Sequence, residues 1–91
     1  MREEREVAEL RVSGKSETAR VAKAIYAVVM KGKDARLLAI GQPALAIAAK
    51  AVASASQIFG PGNLLIQVNW VELEVPERGK VTAVAFDVGK P

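Results

Sequence analysis

Two reactive residue types are missing from this chain, which contains no cysteine and no histidine. Without cysteine there are no disulfides, no thiol nucleophile and no thiolate metal site. Without histidine, imidazole acid–base chemistry and the Ser-His-Asp and Cys-His arrangements are excluded as well. The clustered hydroxyls of Ser13, Ser16 and Thr18 have no evident base nearby in the sequence. We therefore expect a protein that is not an enzyme and that needs no cofactor and no metal.

Aromatic residues are also scarce, at 4% of the 91 residues, although 51% are hydrophobic. The core must therefore consist of aliphatic side chains and alanine, in one domain over residues 7–91 that follows a charged, solvated tail over residues 1–6. No apolar run is long enough to span a membrane, and no signal peptide is recognisable, so we expect a cytoplasmic location and no membrane partner. The net charge of +3 permits nucleic-acid binding without requiring it.

The spacing of apolar residues predicts six elements in the order β-α-β-α-β-β. Strand periodicity covers Val7 to Val12, and a helical pattern begins at Glu17 with Ser16 as its N-cap. A strand over 35–40, a helix over 44–58 and a hairpin of strands 64–75 and 81–88 follow. Two strand–helix units require a parallel strand pair, and the hairpin is antiparallel. The sequence therefore predicts an α+β two-layer sandwich with both helices on one face of a four-stranded mixed sheet.

The third predicted strand changes its alternation midway. Ile66, Val68 and Trp70 share one parity, whereas the apolar residues after Trp70 share the other, namely Val71, Leu73 and Val75. Because strand side chains alternate strictly, this change predicts a bulge or bend near residues 69–71. Trp70 is expected in the core or in an interface rather than stacked on a base.

The second predicted helix holds seven alanines between Ala44 and Ile58, and it is apolar almost all round. Such a helix is usually buried on more than one side, so we predict that another copy of the chain covers it. The predicted oligomer interface consists of Ala48, Val52, Ala55, Ile58 and Phe59. The alternative is that small alanine side chains leave a tolerable exposed surface.

Candidate ligand-binding residues lie in the first strand–helix loop and in the final hairpin. The starts of both helices, near Ser16 and Pro43, are expected at one edge of the sheet with Lys15 between them, which suits a phosphate. Arg78 and Lys80 make the hairpin tip basic, and Arg20 and Lys23 follow the loop. The alternatives are that the loop is only a turn with a capped helix, and that the other charges are only solvated. No phosphate-binding glycine motif is present.

Several runs of the sequence are similar to the stage V sporulation protein S (SpoVS) family. These runs are Leu10-Arg11-Val12-Ser13-Gly14-Lys15-Ser16, Val21-Ala22-Lys23-Ala24-Ile25, Ala39-Ile40-Gly41 with Ala44-Leu45, and Lys50-Ala51-Val52-Ala53. The resemblance covers about residues 7–90 and is looser in the hairpin. Glu17-Thr18 replaces the proline usual in the family, and the second helix lacks the family's arginine. That family is similar in fold to Alba, a dimeric chromatin and RNA-binding protein.

The resemblance implies an Alba-like fold and a non-catalytic, nucleic-acid-binding module that forms a homodimer or homotetramer. In Alba-like proteins a lysine of the first loop meets the phosphate backbone and the terminal hairpin reaches along the groove, roles that fall here on Lys15, Arg78 and Lys80. With the basic residues above, the predicted DNA- or RNA-binding set is Lys15, Ser16, Arg20, Lys23, Arg78 and Lys80. The alternatives are a protein–protein assembly module acting in sporulation or cell-envelope morphogenesis without nucleic acid, and a sensor of a small anion.

Overall fold

The structure, a computed structural model, describes residues 4–91, and this part of the chain contains six regular elements. They are β1 (Val7–Val12), α1 (Thr18–Met30), β2 (Asp34–Ala39), α2 (Gln42–Phe59), β3 (Leu65–Val75) and β4 (Gly79–Gly89). The predicted order β-α-β-α-β-β is confirmed. The observed boundaries of the helices lie close to the predicted ones. Gly32, Gly41 and Gly60 adopt positive φ angles at the points where the helices start or end.

The four strands form one mixed sheet in the order β1-β2-β4-β3. β1 pairs in parallel with β2, and β4 pairs antiparallel with both β2 and β3. A single row of partners, Leu10, Leu37, Phe86 and Val68, therefore crosses the whole sheet on one face. Both helices pack against this face, which we call the helix face, and the predicted two-layer sandwich is confirmed.

The core lies between the helix face and the two helices, and one side of α2 belongs to it. Ile25 of α1 and Leu37 of β2 are fully buried. Ala48, Val52 and Ala55 of α2 are at most 6% exposed. A second copy cannot contact these three side chains in this fold, so their assignment to an oligomer interface is corrected. Alanine at the buried positions of α2 lets α1 and the sheet pack closely against this helix, and these positions are covered by the chain itself.

The predicted bulge in β3 is wrong. The ladder between β3 and β4 runs without interruption from the pair Leu65 and Gly89 to the pair Val75 and Gly79. β3 is the outer strand, and the helices do not cover its first half, where Val68 is 56% and Trp70 is 76% exposed. The change in alternation therefore marks a change in the face of β3 that is buried. In the second half of the strand, the apolar side chains are half-buried on the face opposite the helices.

The face opposite the helices, which we call the back face, is partly apolar. Leu38 of β2 and Ala83 and Ala85 of β4 are at most 4% exposed there, although no helix covers them. Because β4 carries only alanine at these positions, the larger side chains of the neighbouring strands cover it.

A bidentate ion pair on the back face joins β2 to β4. Arg36 Nε donates to Asp87 Oδ1 at 2.7 Å, and Arg36 Nη2 donates to Asp87 Oδ2 at 3.0 Å. The two residues are direct cross-strand partners in β2 and β4. The hydrogen bond to Asp87, and then its charge, raise the pKa of Arg36 above its ordinary value. This contribution to stability is therefore fully present below the ordinary arginine pKa and is lost only in strong alkali.

We expect Asp87→Asn to lower the free energy of unfolding by about 1 kcal/mol. The effect is modest because the Arg36 side chain is 42% exposed and water screens the pair. Urea unfolding followed by circular dichroism measures the change. Asn69→Ala is the control, because Asn69 is exposed on the same face and its cross-strand partner is Ala85. An Asp87→Asn variant as stable as the wild type would show that the pair contributes nothing.

The predicted solvated tail holds only in part, and its residues 1–3 lie outside the described residues. The Asp34 amide donates to the Glu6 carbonyl at 2.9 Å, and Arg5 Nη1 donates to the Lys90 carbonyl at 2.7 Å. Arg5 and Glu6 therefore extend the contact of β1 with β2 and the C-terminal segment instead of lying free in solvent.

Candidate nucleic-acid interface

The β1–α1 loop, residues 13–17, is a tight turn closed by its two serines. The Ser16 amide donates to the Ser13 carbonyl at 3.1 Å. In return, the Ser13 amide donates to Ser16 Oγ at 3.0 Å, and the Lys15 amide donates to Ser13 Oγ at 3.2 Å. Ser16 is therefore not the N-cap that the sequence predicts. Glu17 holds the N-cap position without a side-chain hydrogen bond, since the Ser16 hydroxyl is engaged in the turn.

Gly14 lets this turn approach the start of α2. A Cβ atom added to Gly14 would lie 3.0 Å from Cβ of Pro43, closer than ordinary packing allows. The loop that precedes α1 and the first turn of α2 thus lie side by side, as the parallel pairing of β1 and β2 predicts. Lys15 is exposed at the tip of this turn.

On the side of α1, the loop borders an open cleft of about 460 Å³, which we call the helix-side cleft. Its lining includes Lys15, Ser16 and Arg20, together with Arg11 of β1. Arg20 Nε lies 3.5 Å from Glu17 Oε2, and both side chains are highly exposed. Because exposed ion pairs are weak, a phosphate can compete with Glu17 for this guanidinium.

On the other side, the loop borders a second cleft of about 330 Å³, which we call the back-face cleft. The hairpin between β3 and β4 reaches it, since Arg78 lines this cleft together with Ser13 and Gly14. Arg11 lies at its other rim. The remaining lining is Val12, Leu38, Ile40 and Leu73. The structure therefore brings the loop and the hairpin, which the sequence predicted separately, to one continuous surface.

Two cations of this surface have no competing carboxylate. Within residues 4–91, neither Lys15 nor Arg78 forms an ion pair. Arg11 Nε lies 3.6 Å from Glu9 Oε1, again in an exposed pair. Lysine and arginine in this state can take up an anion without first losing a protein partner, and the guanidinium fork suits phosphate oxygens.

The structure separates two of the predicted residues from this surface. Lys23 lies further along α1, beside Tyr26 and Ile58. Lys80 is exposed in β4 opposite Glu74 and lines neither cleft. The sequence analysis also missed Arg11. The only indication was that Arg11 alternates with Leu10 and Val12 of β1, whose side chains face the core. This alternation directs Arg11 to the opposite face, next to the loop.

The predicted interface residues at the end of α2 differ from the buried ones. Ile58 is strongly exposed, and Phe59 is half-buried with its ring 5.2 Å from that of Tyr26. A larger apolar area lies on the first half of β3. We call it the edge patch, and it consists of the exposed side chains of Ile66, Val68 and Trp70 on the helix face and of Leu65 on the opposite face.

Two other kinds of site are not found in the described part of the chain. Residues 4–91 hold no group of three or more histidine, cysteine, aspartate or glutamate side chains that could bind a metal ion. No helix among them is both long and apolar enough to cross a bilayer.

Comparison with known proteins identifies the fold and the family. The structure of Alba from Thermoplasma volcanium matches with a TM-score of 0.59 and 16% sequence identity, covering 89% of this chain and 95% of that chain. A comparison with curated protein sequences finds no match. The family profile of stage V sporulation protein S (SpoVS) matches residues 8–90. The protein therefore has an Alba-like fold and belongs to the stage V sporulation protein S family.

Proposed function

We propose that this protein is a non-catalytic nucleic-acid-binding module that contacts phosphates through the β1–α1 loop and the hairpin tip. The observation that carries the proposal is the position of the loop between two open clefts, with Lys15 on one side and Arg78 on the other, neither in an ion pair within residues 4–91. Arg11 and Arg20, each in a weak exposed ion pair, extend the cationic surface. The family resemblance, which implies phosphate contact by the first loop and the hairpin, supports Lys15 and Arg78; it also implies Lys80, which lines neither cleft.

This chemistry reads the nucleic-acid backbone and not the sequence. The polar hydrogen atoms of Lys15 and Arg78 match phosphate oxygens, whereas the clefts lack the amide side chains that read adenine edges in the major groove. Binding through phosphates releases counterions, so the affinity falls steeply as salt rises.

Fluorescence anisotropy with labelled single-stranded RNA and duplex DNA at two salt concentrations tests the proposal. We expect binding at low salt that weakens by at least about tenfold over a fourfold rise in salt concentration, as several phosphate contacts require. Binding that does not depend on salt would contradict phosphate contacts, and no binding to either probe at low salt would sink the nucleic-acid function.

We also propose that the protein associates with a second copy through the edge patch. β3 is an edge strand, and residues 63–71 carry no charge. Edge strands in monomers usually carry lysine, proline or a bulge against pairing, and this half of β3 has none of them. An uncharged apolar patch can also meet its own copy across a twofold axis, whereas a charged one would repel itself.

We expect Val68→Lys to shift the protein from dimer to monomer and to raise the dissociation constant at least about tenfold, since two lysines would meet near the twofold axis. Val7→Lys is the matched control, because Val7 lies in the other edge strand and is 57% exposed, against 56% for Val68. Sedimentation equilibrium measures the mass. A monomeric wild type, or a Val68→Lys variant that assembles unchanged, would contradict the proposed interface.

The edge patch also favours a second candidate function, an assembly module that works without nucleic acid. That function requires self-association through β3 and places no demand on Lys15 or Arg78. It predicts a stable oligomer that shows no affinity for either anisotropy probe, so the two experiments above distinguish it from nucleic-acid binding.

A further inference from the structure

The lining of the back-face cleft has two chemically different parts. Its floor is apolar and consists of Leu38, Ile40 and Leu73, while its rim carries the guanidinium groups of Arg11 and Arg78. A surface that only met phosphates would gain nothing from an apolar floor. A nucleotide has the matching two parts, because a flat base prefers apolar contact and the phosphates on either side of it are anionic.

We propose that the back-face cleft holds one unpaired base of a single-stranded nucleic acid, with the neighbouring phosphates on Arg11 and Arg78. This inference rests on the proposed function and names the form of nucleic acid that the surface prefers. In a duplex the base faces are stacked on one another and are out of reach unless a base is flipped out. In a single strand they are free to leave the stack and enter a cleft.

The size of the cleft limits what it can hold. The volume of about 330 Å³ is at the lower end of the range for small-ligand pockets, which fits one base and not several.

Both guanidinium groups are available at the rim. Arg78 forms no ion pair within the described residues, and its partner across the cleft, Arg11, is held only by the exposed contact with Glu9 at 3.6 Å. The two arginines belong to β1 and to the turn between β3 and β4. A strand crossing the cleft from one rim to the other would therefore place a phosphate near each.

Three labelled probes of about 12 nucleotides test the inference, a length within the site sizes of single-strand-binding domains. They are a single-stranded RNA, an abasic strand with the same number of phosphates, and a duplex. We expect the wild type to bind the single-stranded RNA about tenfold more tightly than the abasic strand, the size of one base contact. The duplex should bind no better than the abasic strand.

Variants of the cleft floor locate the base contact. Leu73→Ala should reduce the preference for the base-bearing strand several-fold and leave the affinity for the abasic strand unchanged. Val81→Ala is the matched control, because Val81 is the cross-strand partner of Leu73 on the same face but does not line the cleft. Ile40→Ala, at the end of β2, gives a second variant should Leu73→Ala fold poorly.

The outcomes separate this inference from the proposed function. Equal affinity for the single-stranded RNA and the abasic strand would overturn the base site and leave phosphate binding intact. No binding to any probe would overturn both. A nucleoside monophosphate that binds as tightly as the single-stranded RNA would overturn the assignment to a strand, because the ligand would then be a free nucleotide.

Discussion

Replacing Ala48 by leucine is expected to lower the free energy of unfolding by about 2–3 kcal/mol. Ala48 is fully buried in the core that α2 shares with α1 and the helix face, and leucine brings three further carbon atoms into that core. The added atoms must push α2 away from its neighbours or force their side chains out of preferred rotamers. For a domain of this size the melting temperature should fall by roughly 8–20 °C.

Ala49→Leu is the matched control, since Ala49 is the next residue of α2 and is exposed. It should change the stability by no more than about 0.5 kcal/mol. Urea unfolding at several protein concentrations distinguishes the core from an oligomer interface. A Ala48→Leu variant that dissociates but keeps the stability of its monomer would contradict the burial described above and restore the interface predicted from the sequence.

Reversing two charges together should nearly abolish nucleic-acid binding. We expect Lys15→Glu with Arg78→Glu to lower the affinity for single-stranded RNA by about a hundredfold, since each reversal removes a phosphate contact and adds repulsion. The slope of log affinity against log salt should fall by about 2, one unit for each lost contact. Both residues are exposed, so the fold should remain intact.

The control is Lys31→Glu with Lys50→Glu, which changes the net charge equally. Lys31 is the C-cap of α1, at the other end of the helix from the loop, and Lys50 lies on the exposed side of α2. This control should lose affinity only a few-fold, through the general field of the protein. Equal losses in both double variants would mean that net charge, and no particular surface, attracts the nucleic acid.

Most of the fold follows from local patterns in the sequence. Alternation in β1 and the 3.6-residue period of α1 each appear within a short window, and the parallel pairing of β1 and β2 follows from the helix between them. The sequence pattern failed where burial depends on elements that are distant in the chain. An α2 sequence that is apolar almost all round does not show whether α1 and the sheet or another copy of the chain buries a given residue. Ala48 and Ala55 were therefore assigned to an oligomer interface although they lie in the core.

The same limit explains the error in β3. A change of parity produces a bulge only when one face is buried along the whole strand. Trp70 and Val68 are exposed on the helix face because β3 lies beyond the reach of the helices, and this position comes from the strand order.

The candidate site was predictable in its parts and not in its arrangement. Lys15 and Arg78 stand out in local motifs, a loop before a helix and a hairpin turn. Their approach to one surface depends on the strand order β1-β2-β4-β3, which no local motif encodes. Arg11 was missed for the same reason, because its alternation in β1 indicates which face it lies on but not that the loop and the hairpin turn border that face.

Amide chemical-shift mapping of the uniformly labelled protein with single-stranded RNA locates the bound surface without any substitution. We expect the largest shifts in two separate segments, residues 13–16 of the loop and residues 77–79 of the hairpin turn, and no shifts near Lys31 at the other end of α1. Shifts confined to residues 65–71 of the edge patch, or no shifts at low salt, would contradict the proposed nucleic-acid interface.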